Sequence, residues 1–326
     1  MTLDVKPLQQ ALGAVVHGWE PKATLSQNDE ATIRQSLADH SVLVFRGQTT
    51  PTDDEMIAFA QRFGDLVKGS EWFGDIDARP EILRVTNLVD DEGVAKGIGA
   101  SESLEWHADY SYAPAVGKES FLEAVEIPNL NPPQTCFCSQ YSAYDRLPQA
   151  MVKMLRPLTA HHSITSYAKG QEKGEESEQE NSEDYSVSEN PRAGTDFRAE
   201  FQAKRERNQR LGVSHPDIPE AEHPIILRHP QTGRELLYVS KGITRHIIGM
   251  PEDESKALLK ELAAHSTAPE YVYAHDWQVG DLVMFDTLGT LHRRDAWDPT
   301  ERRMMRQMST RWTPTVDGVG GEHALN

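Results

Sequence analysis

The chain has 326 residues, 51 of them Asp or Glu against 33 Lys or Arg, for a net charge of −18. Binding to nucleic acid needs a concentrated basic surface, and no such run is present, so a nucleic-acid partner is disfavoured. Hydrophobic residues at 38% are enough for a large buried core, though length alone does not choose between one elaborated domain and two.

Ser26, with Asp29 three residues on, has the form of a helix start, and Ile33 and Leu37 follow at helical spacing. Ser41-Val42-Leu43-Val44-Phe45 then switches to a short apolar strand that Arg46-Gly47-Gln48 ends. Thr52 precedes the acidic Asp53, Asp54 and Glu55, and Met56, Ile57, Phe59, Ala60 and Phe63 form the apolar stripe of a second helix stopping at Gly64. Between Lys68 and Gly99 the pattern is mixed, with one strand expected at Glu81 to Val85. Strands are expected at Ser120 to Val125 and Thr135 to Cys138, and a helix from Tyr144 to Leu155.

From Lys169 to Arg210 acidic residues crowd a segment almost without aliphatics. Such a stretch buries too little apolar area to offset its ordering entropy and reads as a solvated, partly disordered insertion, with a substrate lid as the alternative. Order returns with a hairpin, Pro224 to Leu227 and Leu236 to Val239 joined by Gln231-Thr232-Gly233-Arg234. An amphipathic helix from Glu252 to Ala264 leads to strands at Tyr271 to Tyr273, Leu282 to Phe285 and Met304 to Trp312. Many short strands with helices mainly at one end predict a mainly β, α+β chain built as a jelly-roll barrel with helical additions.

Cys136 and Cys138 share one face of a strand and are poorly placed to bridge each other, so buried free thiols are expected. That suits a reducing cytosol. The first residues lack a basic start followed by an apolar run, and no apolar stretch is long enough for a bilayer, so a cytoplasmic protein with no membrane partner is expected.

The stretch that carries chemistry is Glu105-Trp106-His107-Ala108-Asp109. Read as extended, it sends an imidazole and a carboxylate to the same side, one nitrogen and one oxygen ligand for a metal. A second histidine from elsewhere would complete the 2-His-1-carboxylate triad of non-haem iron oxygenases. Alone the motif is weak: His215-Pro216-Asp217 repeats it in a loop. His161 and His162 are adjacent, would face opposite ways on a strand, and read as structural.

Trp106-His107-Ala108-Asp109, then His292, then an arginine eleven residues beyond it resemble the taurine dioxygenase and 2,4-dichlorophenoxyacetate dioxygenase family of Fe(II)/2-oxoglutarate enzymes. Val42 to Gln48, Phe63-Gly64-Asp65-Leu66, Ala143-Tyr144-Asp145, Gly280 to Met284 and Leu291-His292-Arg293 look like further landmarks. The resemblance runs nearly end to end and implies one domain over 1–326, with 169–210 inserted into a double-stranded β-helix core. It implies iron on His107, Asp109 and His292, with 2-oxoglutarate and O2 sharing the remaining positions. The implied reaction oxidises a small organic substrate, most simply by hydroxylation and with carboxylates among the candidates, releasing succinate and CO2.

A guanidinium grips a carboxylate with two parallel hydrogen bonds, and position matching gives that role to Arg303, with Thr135 also touching the cosubstrate. The other strand phase, Arg302 with Arg306, stays open. Four residues after the cosubstrate arginine, sulfonate-oxidising members of the family carry a second arginine for the substrate anion. Here the position holds Gln307, which can hydrogen-bond but not neutralise, so taurine is disfavoured. Thr287 stands where relatives often have Asn. Trp72, Ser103 and Tyr112 fall at or near positions that line the substrate site in relatives.

Asp109 argues against a halogenase, which gives up that carboxylate. A non-catalytic jelly-roll that binds a metal or small molecule, and a zinc hydrolase on the same ligands, are the readings from other classes. The partner expected is a small molecule, and the sequence leaves monomer and homo-oligomer equally open.

Overall fold

A computed structural model describes residues 3–73, 79–91, 93, 95–99, 101–164, 197–214 and 216–312, and of 197–203 the backbone alone. In chain order the elements are β1 (Asp4–Pro7), β2 (Ala14–His17), α1 (Gln27–His40), β3 (Val42–Phe45), α2 (Asp53–Ala60), β4 (Asp65–Leu66), α3 (Gly69–Trp72), β5 (Leu83–Thr86) and β6 (Leu104–His107). Then come β7 (Gly117–Glu126), β8 (Thr135–Ser139), α4 (Gln140–Asp145), α5 (Gln149–Leu155), β9 (Thr159–His162), α6 (Phe197–Arg210), β10 (Ala221–Pro224) and β11 (Ile226–Arg228). The last are β12 (Glu235–Leu237), β13 (Thr244–Ile247), α7 (Glu252–Ser266), β14 (Val272–His275), β15 (Leu282–Asp286), β16 (Thr290–Arg294) and β17 (Met304–Arg311).

An eight-stranded sheet runs β1-β2-β3-β15-β7-β17-β4, with β5 also on β17, and a four-stranded sheet runs β14-β8-β16-β6. Alternation along the strands explains how they stack. Val42 and Val44 of β3 and Val283 and Phe285 of β15 share a buried cluster with Phe137 of β8 and Tyr273 of β14, so the two sheets meet face to face. Their neighbours Leu43, Phe45, Leu282 and Met284 point the other way, onto Ile33 and Leu37 of α1 and Met56 and Phe59 of α2. The large sheet is covered on both faces, which is why these strands read as unbroken apolar runs.

Local chemistry fixes the helix starts. Asp29 N donates to the Ser26 hydroxyl at 3.1 Å, and Thr52 and Glu55 close a reciprocal capping box ahead of α2. Each cap contributes on the order of 1 kcal/mol. Two landmarks of the sequence prove to be one joint: Arg46 donates to both carboxylate oxygens of buried Asp281, at 2.7 and 2.6 Å, and Gln48 Nε2 donates to Gly280 O at 2.7 Å. This pins the end of β3 to the turn before β15.

Three expectations change. The helix expected from Tyr144 to Leu155 is two, α4 and α5, because Pro148 takes an extended ψ of 143° and its ring keeps the preceding residue from continuing a helix. The strand expected at Glu81 to Val85 is shifted to Leu83–Thr86. Of the insertion, 169–196 lies outside the described residues, but Phe197–Arg210 is helical, with Lys204 and Asn208 buried and Lys204 Nζ donating to Gly97 O at 2.8 Å. Its anchoring is polar, so a count of aliphatic residues could not register it.

Cys136 and Cys138 are buried and free, and burial pushes the Cys138 thiol up to about 12, which makes it unreactive. No helix among the described residues is long and apolar enough to cross a membrane.

Candidate active site

The small sheet brings the two histidines together. In the β6–β16 pairing His107 stands opposite His292, and the ring centroids lie 4.0 Å apart. Asp109 arrives differently from the expectation. β6 ends at His107, and the chain turns sharply at Tyr110, a non-glycine residue at φ +58°, so the carboxylate comes from a turn and not from a continuing strand. Such a φ costs on the order of 1–3 kcal/mol and persists because the surroundings hold it. Gly117 is part of that hold: a Cβ there would sit 3.0 Å from Asp109 O and 2.7 Å from Thr287 Cγ2.

The result is a compact donor set. Asp109 Oδ1 lies 3.6 Å from His107 Nε2 and 3.8 Å from His292 Nε2, and the three ligand atoms fall within 4.8 Å of one another. Donors at right angles on one metal, each ~2.1 Å from it, stand ~3 Å apart, so a small contraction would close the set on an ion. The imidazoles are oriented as a metal requires. His107 Nδ1 donates to Glu105 O at 2.7 Å, which turns Nε2 inward, and burial holds the His292 imidazole well below its usual pKa and therefore neutral.

Asp109 is held from its other side. Its Oδ2 accepts from Gln307 Nε2 at 2.7 Å and from Ser120 Oγ at 3.1 Å, and Thr287 Oγ1 donates to Ser120 Oγ at 2.8 Å. Burial raises the Asp109 pKa, and His107, Ser120 and Gln307 oppose that rise. Gln307, expected to meet the substrate, thus has its amide on the carboxylate that faces the histidines.

The arginines separate cleanly. Arg303, just before β17, is 1% exposed, and its Nη1 has no hydrogen-bond partner among the described residues. Burial, with Arg294 beside it, holds its pKa well below the usual guanidinium value. A guanidinium does not readily shed its proton, so the cost stands until an anion arrives. Arg302 pairs with Glu126 on the surface, and Arg306 is taken by Glu123 and Asp53. Only the Arg303 phase presents an unpaired charge inward.

Thr135 is buried at the start of β8, where its Oγ1 accepts from Trp277 Nε1 at 2.9 Å; this leaves its own O–H to donate. Trp72 and Tyr112 join Tyr110, with ring centroids 5.7 to 6.1 Å apart, in an apolar cluster with Phe73, Ile218 and Ile243 directly beyond Asp109. Ser103 is exposed, before β6, outside that cluster.

Two contributors escaped the sequence reading. Ser120 gave no signal, because nothing in its strand distinguishes it. Arg294 did: it follows His292 by two on β16 and so shares its side, is buried, lies 4.4 Å from the Trp297 ring, and is pushed down to about 10 by burial. His162 is buried against Tyr238 and His223, and half-buried His161 meets Glu220, so the pair divides between two surroundings as its adjacency requires.

Comparison with known proteins gives this geometry its class. The chain is an enzyme of the kind that couples Fe(II), 2-oxoglutarate and O2. It belongs to the taurine catabolism dioxygenase TauD/TfdA family, whose profile matches residues 4–308. It is 37% identical to pentalenolactone F synthase of Streptomyces avermitilis, over 92% of this chain and 91% of that one. To the alpha-ketoglutarate-dependent 2,4-dichlorophenoxyacetate dioxygenase of Cupriavidus pinatubonensis it is 29% identical, over 95% and 98%. Among solved structures, AAD-2 in complex with Mn(II) and N-oxalylglycine superposes with a TM-score of 0.69 at 25% identity, covering 96% of this chain and 98% of that one. A taurine dioxygenase from Burkholderia xenovorans shares the fold, with a TM-score of 0.70 at 23% identity over 96% and 92%.

Proposed function

We propose that this chain hydroxylates a small, largely apolar organic molecule, working from a single domain with a double-stranded β-helix core into which 169–210 is inserted. The observation that carries the reading is the convergence of His107 Nε2, Asp109 Oδ1 and His292 Nε2 together with a buried, unpaired guanidinium at Arg303. Those three atoms would hold the iron, and Arg303 would pair with the distal carboxylate of 2-oxoglutarate while Thr135 donates to it. Iron, keto acid and O2 together supply the oxidant, with succinate and CO2 released. The work of the protein is to seat the target carbon and keep water out, which Trp72, Tyr110, Tyr112, Ile218 and Ile243 are placed to do.

Gln307 sets the preference for a neutral substrate. Its amide is committed to Asp109, and no charge stands at that position to neutralise a sulfonate. A lactone, as named in the product of the Streptomyces relatives, fits these surroundings better than taurine.

The test is iron-loaded protein with 2-oxoglutarate and O2, offered neutral lactones, phenoxyacetates and taurine. Succinate release is expected to be slow alone, to rise with the neutral class, and to leave a product heavier by one oxygen. Metal-dependent hydrolysis with no O2 consumed would favour the zinc reading and refute this one.

A further inference from the structure

We infer that Gln307 and Ser120 are positioning residues that make Asp109 offer the metal one oxygen and not two. The inference rests on the iron-and-keto-acid reading above and concerns how its coordination positions are kept open.

A carboxylate has two oxygens with about four lone-pair directions and can close on a metal through one oxygen or through both. Here the two oxygens have different surroundings. Oδ1 lies 3.6 and 3.8 Å from the histidine Nε2 atoms. Oδ2 takes both protein donors, Gln307 Nε2 at 2.7 Å and Ser120 Oγ at 3.1 Å. Ser120 Oγ accepts from Thr287 Oγ1 at 2.8 Å and shares a 2.7 Å contact with Ser309 Oγ; its one hydrogen serves Asp109 when Ser309 is the donor of that pair.

The donors stand on the opposite sheet from the histidines. Gln307 lies on β17 and Ser120 on β7, paired strands of the large sheet, while His107 and His292 belong to the small one. Asp109 therefore lies between the sheets, with Oδ2 bonded to the large one and Oδ1 facing the histidines of the small one. The three protein ligands leave three further positions, and a keto acid chelate with dioxygen needs all of them. A second oxygen from Asp109 would take one away. A neutral amide suits the task, since it saturates Oδ2 without drawing the carboxylate's charge from the metal as a guanidinium would.

The experiment uses the full chain without O2. Iron-loaded protein is titrated with 2-oxoglutarate, following the visible charge-transfer absorption of a keto acid chelated to ferrous iron. Metal affinity is measured separately, by competition with a coloured chelator. Gln307→Met and Ser120→Ala should each raise half-saturating 2-oxoglutarate about tenfold, while metal affinity does not fall, because the released Asp109 oxygen adds a bond to the metal where it takes a position from the keto acid. A residue that merely supports the fold would weaken both together, and that result, or no change in the keto acid titration, overturns the inference. If Gln307→Met does not fold, Ser120→Ala carries the same test. Failure of the parent protein to develop the absorption at all would instead overturn the functional reading beneath it.

Discussion

The run from Arg302 to Gln307 has two faces with opposite fates. Facing outward, Arg302 and Arg306 find Glu126, Glu123 and Asp53, and Glu123 is itself fully buried beneath its partner. Facing inward, Arg303 is buried with a nitrogen unmatched among the described residues, and Gln307 reaches the carboxylate of Asp109. The residue type is the same on both faces; what differs is whether the fold provides the counter-charge. A buried charge that the fold neutralises serves the fold, whereas one left unmatched carries a standing cost that an incoming anion would relieve.

Removing the donor set should have the largest effect. His107→Ala or Asp109→Ala should abolish iron-dependent succinate release while circular dichroism stays unchanged, because both residues lie at the open end of β6 and not within either main core cluster. Arg303→Ala comes next, with an expected rise of about 100-fold in the 2-oxoglutarate requirement, the scale for truncating one partner of a desolvated charge pair. The outer face should answer in stability and not in cosubstrate binding: Arg306→Ala strands buried Glu123 and should cost about 3 kcal/mol in denaturant unfolding.

The same contrast extends to imidazoles. His162, with no carboxylate beside it among the described residues, is pushed down to about 3 by burial and by neighbouring His223. Its folded pKa is below the unfolded value of 6.5, so the unfolded chain takes up the proton first and stability falls as pH drops from 6.5 towards 3. By pH 4.5 the loss should be about 2–3 kcal/mol, and His162→Phe should remove that acid sensitivity in urea melts at the two pH values. The smallest effect belongs to Arg302→Ala: its pair with Glu126 is exposed, so the substitution should leave the urea midpoint and the cosubstrate requirement unchanged.

Much of this was legible in the sequence because period and spacing report local geometry. The apolar run Val42 to Phe45 and the caps at Ser26 and Thr52 follow from strand and helix signals, whereas Arg303 was singled out by its spacing from His292 in the resembled family, with the opposite phase left open. What was not legible depended on direction in three dimensions. Arg294 needed the knowledge that β16 turns one face inward, and Gln307 needed the distance between two sheets. The break at Pro148 was present in the sequence but outweighed there by the apolar stripe around it. Asp109 joined the histidines through a strained turn at Tyr110, where strand alternation had suggested the right neighbours for a different reason.

A crystal structure of the chain with Mn(II) and N-oxalylglycine would test the central claim most directly. The metal should sit on His107 Nε2, Asp109 Oδ1 and His292 Nε2, with the far carboxylate of the oxalyl compound on Arg303. A metal held by any other set, or a carboxylate bound on the Arg302 and Arg306 side, would contradict the assignment.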